Sequence, residues 1–237
     1  MKDVVLVHGA WHGGWCWRRV TDRLRAAGHR AYAPTLTGLA DRGHLLQPSV
    51  TLETHVQDVI GLLEFEDIDD AVLCGHSYGG LVAAVVADRV PERIGHLVFL
   101  DALVPASGQS AMDLLGETEG VPDLLRQLAR EAGDGWRVPP SAFTAEALGV
   151  DDPADAAWLS SRLTDHPLST LEEPVDLAGG VDNVRRTFVR AEKFPATWAD
   201  DLLAAAREDS GWEHHSIPAG HDLIVTHPDE VTEILLR

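Results

Sequence analysis

The chain predicts a doubly wound α/β fold: a mostly parallel sheet of about six strands, with helices on both faces and a helical segment inserted late in the order. Three observations carry this. Short, continuous apolar runs alternate with longer stretches of helical spacing, as parallel strands buried on both faces alternate with their crossover helices. Gly75-His76-Ser77-Tyr78-Gly79 joins the apolar run Ala71-Val72-Leu73-Cys74 directly to a helical run beginning at Gly80. The alternation then stops after Pro105 and resumes near Arg186.

The elements follow in order. Val4-Val5-Leu6-Val7 is the first strand and runs into His8-Gly9. Residues 15–27 have helical spacing through Trp17, Val20 and Leu24 and close at Gly28, a glycine C-cap. Residues 30–34 form a second strand, stopped by Pro34, and residues 35–50, rich in Gly, Thr and Pro, form a loop. A helix over 51–65 starts at Thr51-Leu52-Glu53-Thr54. The strand at 71–74 feeds the helix at 78–90, and residues 96–101 form the next strand. Residues 106–180 read as a helical cap inserted into a single domain that spans 1–237, with helices over 121–131 and 153–163 and no strand. Then come a strand at 186–190, a helix at 196–207, a strand at 212–217 and a helix at 228–236. With the first parallel strand at residue 4, no antiparallel hairpin is expected ahead of it.

Composition narrows the partners. The 237 residues hold 19 Lys and Arg against 38 Asp and Glu, a net charge of −19. Such a surface argues against nucleic acid and anionic membranes as partners and disfavours polyanionic substrates. Cys16, in a Trp-Cys-Trp run, and Cys74, in a strand, read as small core residues rather than a disulfide framework. No apolar run reaches membrane-spanning length, the N-terminus lacks a signal-peptide layout, and a cytoplasmic protein is expected. No spacing of Cys, His, Asp and Glu suggests a metal site. A homodimer stays open.

The chemistry centres on Ser77. A strand–G-x-S-x-G–helix turn is too tight for large flanking side chains, and it holds the serine hydroxyl exposed above a helix N-terminus. A serine needs a positioned base. His221, in Pro218-Ala219-Gly220-His221-Asp222, follows the last strand, and loops after parallel strands lie on the same edge of the sheet. His76 neighbours Ser77 but points away in so sharp a turn, and His214 and His215 face opposite sides of a strand. Two amides are needed for a developing oxyanion. Tyr78 supplies one; Ala10, in His8-Gly9-Ala10-Trp11-His12-Gly13-Gly14, is nominated for the other. Trp11 and His12 from this loop, with Trp136 and Trp158 from the cap, are the expected pocket residues.

Together, residues 8–15, residues 75–80, Gly220-His221 and, in the cap, Leu163-Thr164-Asp165-His166-Pro167-Leu168 resemble the α/β-hydrolase superfamily. The likeness is to its small branch of bacterial carboxylesterases, plant salicylate-binding methylesterases and hydroxynitrile lyases. It implies an α/β-hydrolase fold, a Ser–His–acid triad, two oxyanion amides and a pocket between core and cap, with no cofactor. The expected reaction is hydrolysis of a small to medium carboxylic ester with an apolar portion, through an acyl-enzyme. The resemblance also implies that lyase members carry threonine directly after the first-loop histidine and lysine directly after the catalytic one. Here these are Gly9 and Asp222, and a carboxylate there would repel a cyanide leaving group. The alternatives are a non-hydrolytic enzyme on the same scaffold (a lyase, cyclase or decarboxylating enzyme of bacterial secondary metabolism) and a ligand-binding protein with a degenerate triad.

The acid departs from the branch. The usual aspartate follows the next-to-last long strand, and Phe194 occupies that place in Phe188-Val189-Arg190-Ala191-Glu192-Lys193-Phe194. Asp101, at the end of the strand after the elbow helix, is the first replacement. Glu192 is the second, and an incomplete triad is the third.

Overall fold

Val4 and Leu6 point to one face of the first strand, β1 (Asp3–Val7), and Val5 and Val7 to the other; all four are fully buried. A strand apolar at every position belongs inside a sheet covered on both sides. The structure, a computed structural model, describes residues 1–116 and 120–237, so residues 117–119 of the expected cap lie outside the description. The further strands are β2 (Arg30–Tyr32), β3 (Ala71–His76), β4 (Ile94–Leu100), a short pair β5 (Arg137–Val138) and β6 (His166–Pro167), β7 (Arg185–Ala191) and β8 (Trp212–Ile217). Six of them form one sheet in the order β2-β1-β3-β4-β7-β8, with every neighbouring pair parallel.

The helices are α1 (Arg18–Ala26), α2 (Leu52–Phe65), α3 (Gly79–Arg89), α4 (Ala111–Leu115), α5 (Val121–Ala132), α6 (Pro153–Ser160), α7 (Ser169–Glu172), α8 (Thr197–Glu208), α9 (Leu223–Thr226) and α10 (Pro228–Leu235). Val20 and Leu24 of α1, Leu223 of α9 and Val231 of α10 cover the Val4/Leu6 face. Val56 and Leu63 of α2, most of α3, and Leu203 of α8 cover the Val5/Val7 face. α3 is buried along nearly its whole length, which is why it is built of Gly, Ala, Val and Leu, with no polar stripe, up to Asp88 and Arg89 at its end. The α2 start expected at Thr51 is a reciprocal cap between Thr51 and Thr54.

Some elements differ from expectation. The first helix opens as a 3-10 turn, Gly14–Trp17, before α1, and the 35–50 loop contains another at Ala40–Leu45. The inserted segment holds the antiparallel pair β5–β6, where no strand is expected. Two residues per strand, one of them Pro167, are too short for an alternating pattern to register. No helix among the described residues is long and apolar enough to cross a membrane.

The sheet order places the site. The chain steps outward from β1 to β2 and then back across to β3, so the loops after β1 and β3 leave neighbouring strands in opposite directions. That reversal opens a crevice at the carboxyl edge. The inserted segment leaves the same edge after β4 and returns at β7.

Candidate active site

β3 ends at His76, and Ser77 turns the chain into α3 with φ 54°. A left-handed non-glycine residue costs about 1 kcal/mol, and its surroundings must hold it. Here Ser77 C=O accepts from Gly80 N–H at 3.0 Å and Leu103 N–H at 3.1 Å. The turn closes only because its flanks lack side chains. A Cβ on Gly75 would lie 2.4 Å from the Gly79 carbonyl oxygen, and one on Gly79 would lie 2.6 Å from that of Val7. Ser77 is half-buried and lines a cavity together with His221.

His221 lies in the loop after β8. Its Nδ1 and Asp101 Oδ2 are 2.7 Å apart. Asp101 follows β4 directly, is fully buried and has φ 44°. Its other oxygen, Oδ1, accepts from Ala191 N–H at 3.0 Å and Arg190 Nη1 at 3.1 Å. Glu192 is exposed. Phe194, in the place where the resemblance implies an acid, stacks on the His221 ring with centroids 4.4 Å apart and planes at 27°. His76 Nε2 donates to the His221 carbonyl at 2.9 Å, while burial, then the neighbouring His221, push His76 down to about 3. The His76 ring is therefore neutral and braces the His221 loop.

Arg190 is a residue that sequence reasoning missed. It is buried, and besides Asp101 it binds Asp200 through Nε at 2.8 Å and the Phe194 carbonyl through Nη2 at 2.6 Å. A signal existed: an arginine inside Phe188-Val189-Arg190-Ala191 interrupts a buried strand, and a buried guanidinium requires a carboxylate.

Ala10 and Tyr78 also line the cavity, and neither backbone N–H has a protein acceptor among the described residues. Both amides are free to meet a developing negative charge. His12 lines the cavity and bridges Ala10 C=O, through Nδ1 at 2.7 Å, to Asp222 Oδ2, through Nε2 at 3.3 Å. Burial opposes charge on His12, but the Asp222 carboxylate outweighs it and raises the ring above its ordinary value. Burial works against the Asp222 charge too, and His12 overrides it, holding that carboxyl low. Asp222 is fully buried and does not line the cavity, which corrects the expectation of a carboxylate beside the leaving group. From its place just ahead of α9, its side chain points back toward His12.

The cavity measures about 250 Å³ and is mostly apolar. Leu115, Val121, Leu125, Phe143, Leu148 and Leu171 of the inserted segment face Leu103, Phe194 and Trp198 of the core. Trp11 contributes as expected, stacked on Phe143 with centroids 3.9 Å apart. Trp136 and Trp158 do not line it. Trp158 packs edge-on against Trp15 at 5.0 Å, with the guanidinium groups of Arg19 and Arg162 over its ring, against the core on the Val4/Leu6 face. Trp136 is half-buried beside Arg137. Trp198, not among the expected pocket residues, also lines the cavity; a tryptophan opening the helix after β7 stands at the same carboxyl edge as Ser77.

The sequence profile described as Alpha/beta hydrolase family matches residues 4–234. A carbendazim hydrolyzing esterase from Nocardioides sp. (strain SG-4G) is 40% identical over 245 residues, covering 99% of this chain and 98% of the relative. The probable esterase PIR7A of Oryza sativa subsp. japonica is 38% identical over 257 residues, covering 100% and 96%. Among solved structures, an extracellular alpha/beta-hydrolase from a Paenibacillus species superimposes with a TM-score of 0.86 at 23% identity, covering 100% of this chain and 98% of the other. Tomato Methylketone Synthase I complexed with 2-tridecanone gives 0.81 at 21% identity, covering 99% and 96%. These two share the fold. With the profile and the esterase relatives spanning essentially the whole length, the chain belongs to the alpha/beta hydrolase family, on its esterase branch.

Proposed function

We propose that ester hydrolysis runs here on Ser77, His221 and Asp101, with the amides of Ala10 and Tyr78 holding the oxyanion and residues 106–180 acting as a cap over the substrate. His221 Nε2 takes the Ser77 hydroxyl proton as Oγ bonds to the ester carbonyl carbon. The carbonyl oxygen gains the negative charge between the two amides. Asp101 fixes the His221 tautomer and stabilises the imidazolium. As the C–O bond breaks, His221 returns the proton to the leaving alcohol. A water then repeats the sequence on the acyl-enzyme and releases the acid.

The observation that carries this reading is the 2.7 Å contact between Asp101 and His221, whose ring shares one apolar cavity with Ser77. A cavity of that character suits an ester with an apolar portion and few polar groups. Carbendazim, which the Nocardioides relative hydrolyses by name, is the first compound to try.

The test is a panel of p-nitrophenyl esters of graded acyl length, with carbendazim beside it and Ser77→Ala as control. Turnover is expected for the shorter apolar acyl groups, and Ser77→Ala is expected to lose roughly 10⁴–10⁶ in kcat with its fold unchanged. Half of the wild-type activity surviving in Ser77→Ala would end the serine-hydrolase reading. Tight binding without turnover of any ester would make the protein a binder.

A further inference from the structure

Three buried histidines outside the proposed triad converge on two consecutive peptide groups of the loop after β1. The first peptide joins Gly9 to Ala10, and its N–H is the amide offered to the oxyanion. Its carbonyl, on Gly9, lies 2.9 Å from His8 Nδ1. Leu36 N–H donates to the other ring nitrogen, Nε2, at 3.0 Å, so the proton of His8 sits on Nδ1 and is given to Gly9. The N–H and C=O of a trans peptide point opposite ways. A carbonyl drawn inward by His8 therefore aims the Ala10 N–H outward, into the cavity that Ala10 lines.

The second peptide joins Ala10 to Trp11 and is gripped at both ends. His12 Nδ1 donates to the Ala10 carbonyl at 2.7 Å, and the Trp11 N–H donates to His166 Nδ1 at a long 3.4 Å. His12 faces an acceptor on each nitrogen, Ala10 C=O and Asp222, and so carries both protons. His166 is in the opposite state. The Thr170 hydroxyl donates to Pro167 C=O at 2.8 Å, so it accepts from His166 Nε2–H at 2.7 Å and leaves the Nδ1 lone pair for Trp11. Burial agrees with these states: it pushes His8 down to about 3 and His166 well below its ordinary value, while for His12 burial is outweighed by Asp222.

The grip reaches the inserted segment. Thr164 N–H donates to Trp11 C=O at 3.0 Å, and the Trp11 indole N–H donates to Val138 C=O at 3.0 Å. Trp11 itself has φ 63°, a left-handed conformation that a tryptophan holds only when its neighbours impose it. This gives the 163–168 stretch, singled out in the sequence, a physical role.

We propose that His8, His12 and His166 are positioning residues of the oxyanion hole: they lock two successive peptide planes so that Ala10 N–H stays aimed at the reacting carbonyl, and His166 makes that aim depend on the docking of the inserted segment. The inference rests on the ester-hydrolysis reading above. His8 and His166 do not line the cavity, so their effect on turnover has no route through substrate contact.

The experiment compares His166→Asn with His166→Gln in the full chain. Asparagine can place its amide oxygen where Nδ1 accepts from Trp11; glutamine reaches toward Thr170 instead. Each variant is assayed on a p-nitrophenyl ester and on its thionoester, whose sulfur is larger and a weaker hydrogen-bond acceptor. The glutamine variant is expected to lose about 10- to 100-fold in kcat, with KM within about twofold and a reduced preference for the oxygen ester. The asparagine variant should keep at least about ten times the kcat of the glutamine variant, with the wild-type preference. His8→Asn, which still can donate to Gly9 C=O, and His8→Gln, which cannot, repeat the comparison and decide it should the His166 pair not fold. Equal kcat and equal oxygen-to-sulfur preference within both pairs, in an enzyme whose turnover depends on Ser77, overturns this inference alone. Turnover independent of Ser77 overturns the reading beneath it.

Discussion

Asp101→Asn is the substitution that asks most of the proposed triad. Asp101 Oδ1 faces two donors, Ala191 N–H at 3.0 Å and Arg190 Nη1 at 3.1 Å, and only an oxygen can satisfy both. In the asparagine variant the amide oxygen is thus forced to that side, and the NH2 falls opposite His221 Nδ1, where Oδ2 stands at 2.7 Å in the native chain. An NH2 there can only donate. His221 must then accept at Nδ1 and carry its proton on Nε2, the nitrogen that should take the proton of Ser77. Fixing the wrong tautomer in this way costs on the order of 10⁴ in kcat, or about 5 kcal/mol of transition-state stabilisation. The fold should survive, because Arg190 keeps Asp200 and the carbonyls of Ala191 and Phe194. Weakening one buried charged hydrogen bond costs about 1–3 kcal/mol, and each kcal/mol lowers Tm by about 2–4 °C in a chain of this size. The assay is kcat/KM on the best p-nitrophenyl ester, with calorimetric Tm, and Glu192→Gln as the exposed-carboxylate control. A folded Asp101→Asn within tenfold of wild type would refute the reasoning. So would a larger loss in Glu192→Gln, which would give Glu192 the role.

Two further outcomes are expected. Burial holds His8 and His76 neutral down to about 3 and His55 down to about 4, whereas the unfolded chain takes up these protons below pH 6.5. The stability present above pH 6.5 is therefore lost as the pH falls, by about 2 kcal/mol per histidine at pH 5, and a Tm that stays level from pH 7 to 4.5 would contradict it. Cyanide release from mandelonitrile should be absent or marginal: no lysine or arginine lines the cavity among the described residues, and the carboxylate after His221 is turned inward onto His12. Release at a rate comparable with ester cleavage and dependent on Ser77 would reverse the assignment of reaction class.

The sheet was readable because two-sided burial leaves a mark at every position. Val4 to Val7 and Ala71 to Cys74 have no polar residue, and the structure sets both strands in the interior of the sheet, each paired on both edges. That Ser77 and His221 share one edge was legible for a related reason: parallel strands put all their following loops on one edge, whatever the distance in sequence, and the same argument left both Asp101 and Glu192 open as the acid. The inserted segment was not readable in this way. Its helices are short, and which face of each meets the cavity depends on what they pack against. Trp136 and Trp158 therefore look as fit for a pocket as Phe143, and only Phe143 lines it. Asp222 departs from expectation because adjacency to His221 in sequence says nothing of direction: His221 faces the cavity and Asp222 faces His12.

The acid shows the limit most clearly. Position by position, Phe194 reads as a vacancy in the triad, since the resemblance implies a carboxylate there. In the folded chain, β4 and β7 are paired side by side, and the ends of the two strands exchange contacts. Arg190 and Ala191 of β7 bind one oxygen of Asp101, which follows β4, and the other oxygen faces His221. Phe194 stacks on that same imidazole. The strand without the carboxylate thus supplies the cation and amide that orient the one next door, together with an aromatic face for His221. A buried arginine in β7 and an aspartate at the end of β4 are two halves of one feature, and sequence alone separates them by 89 residues.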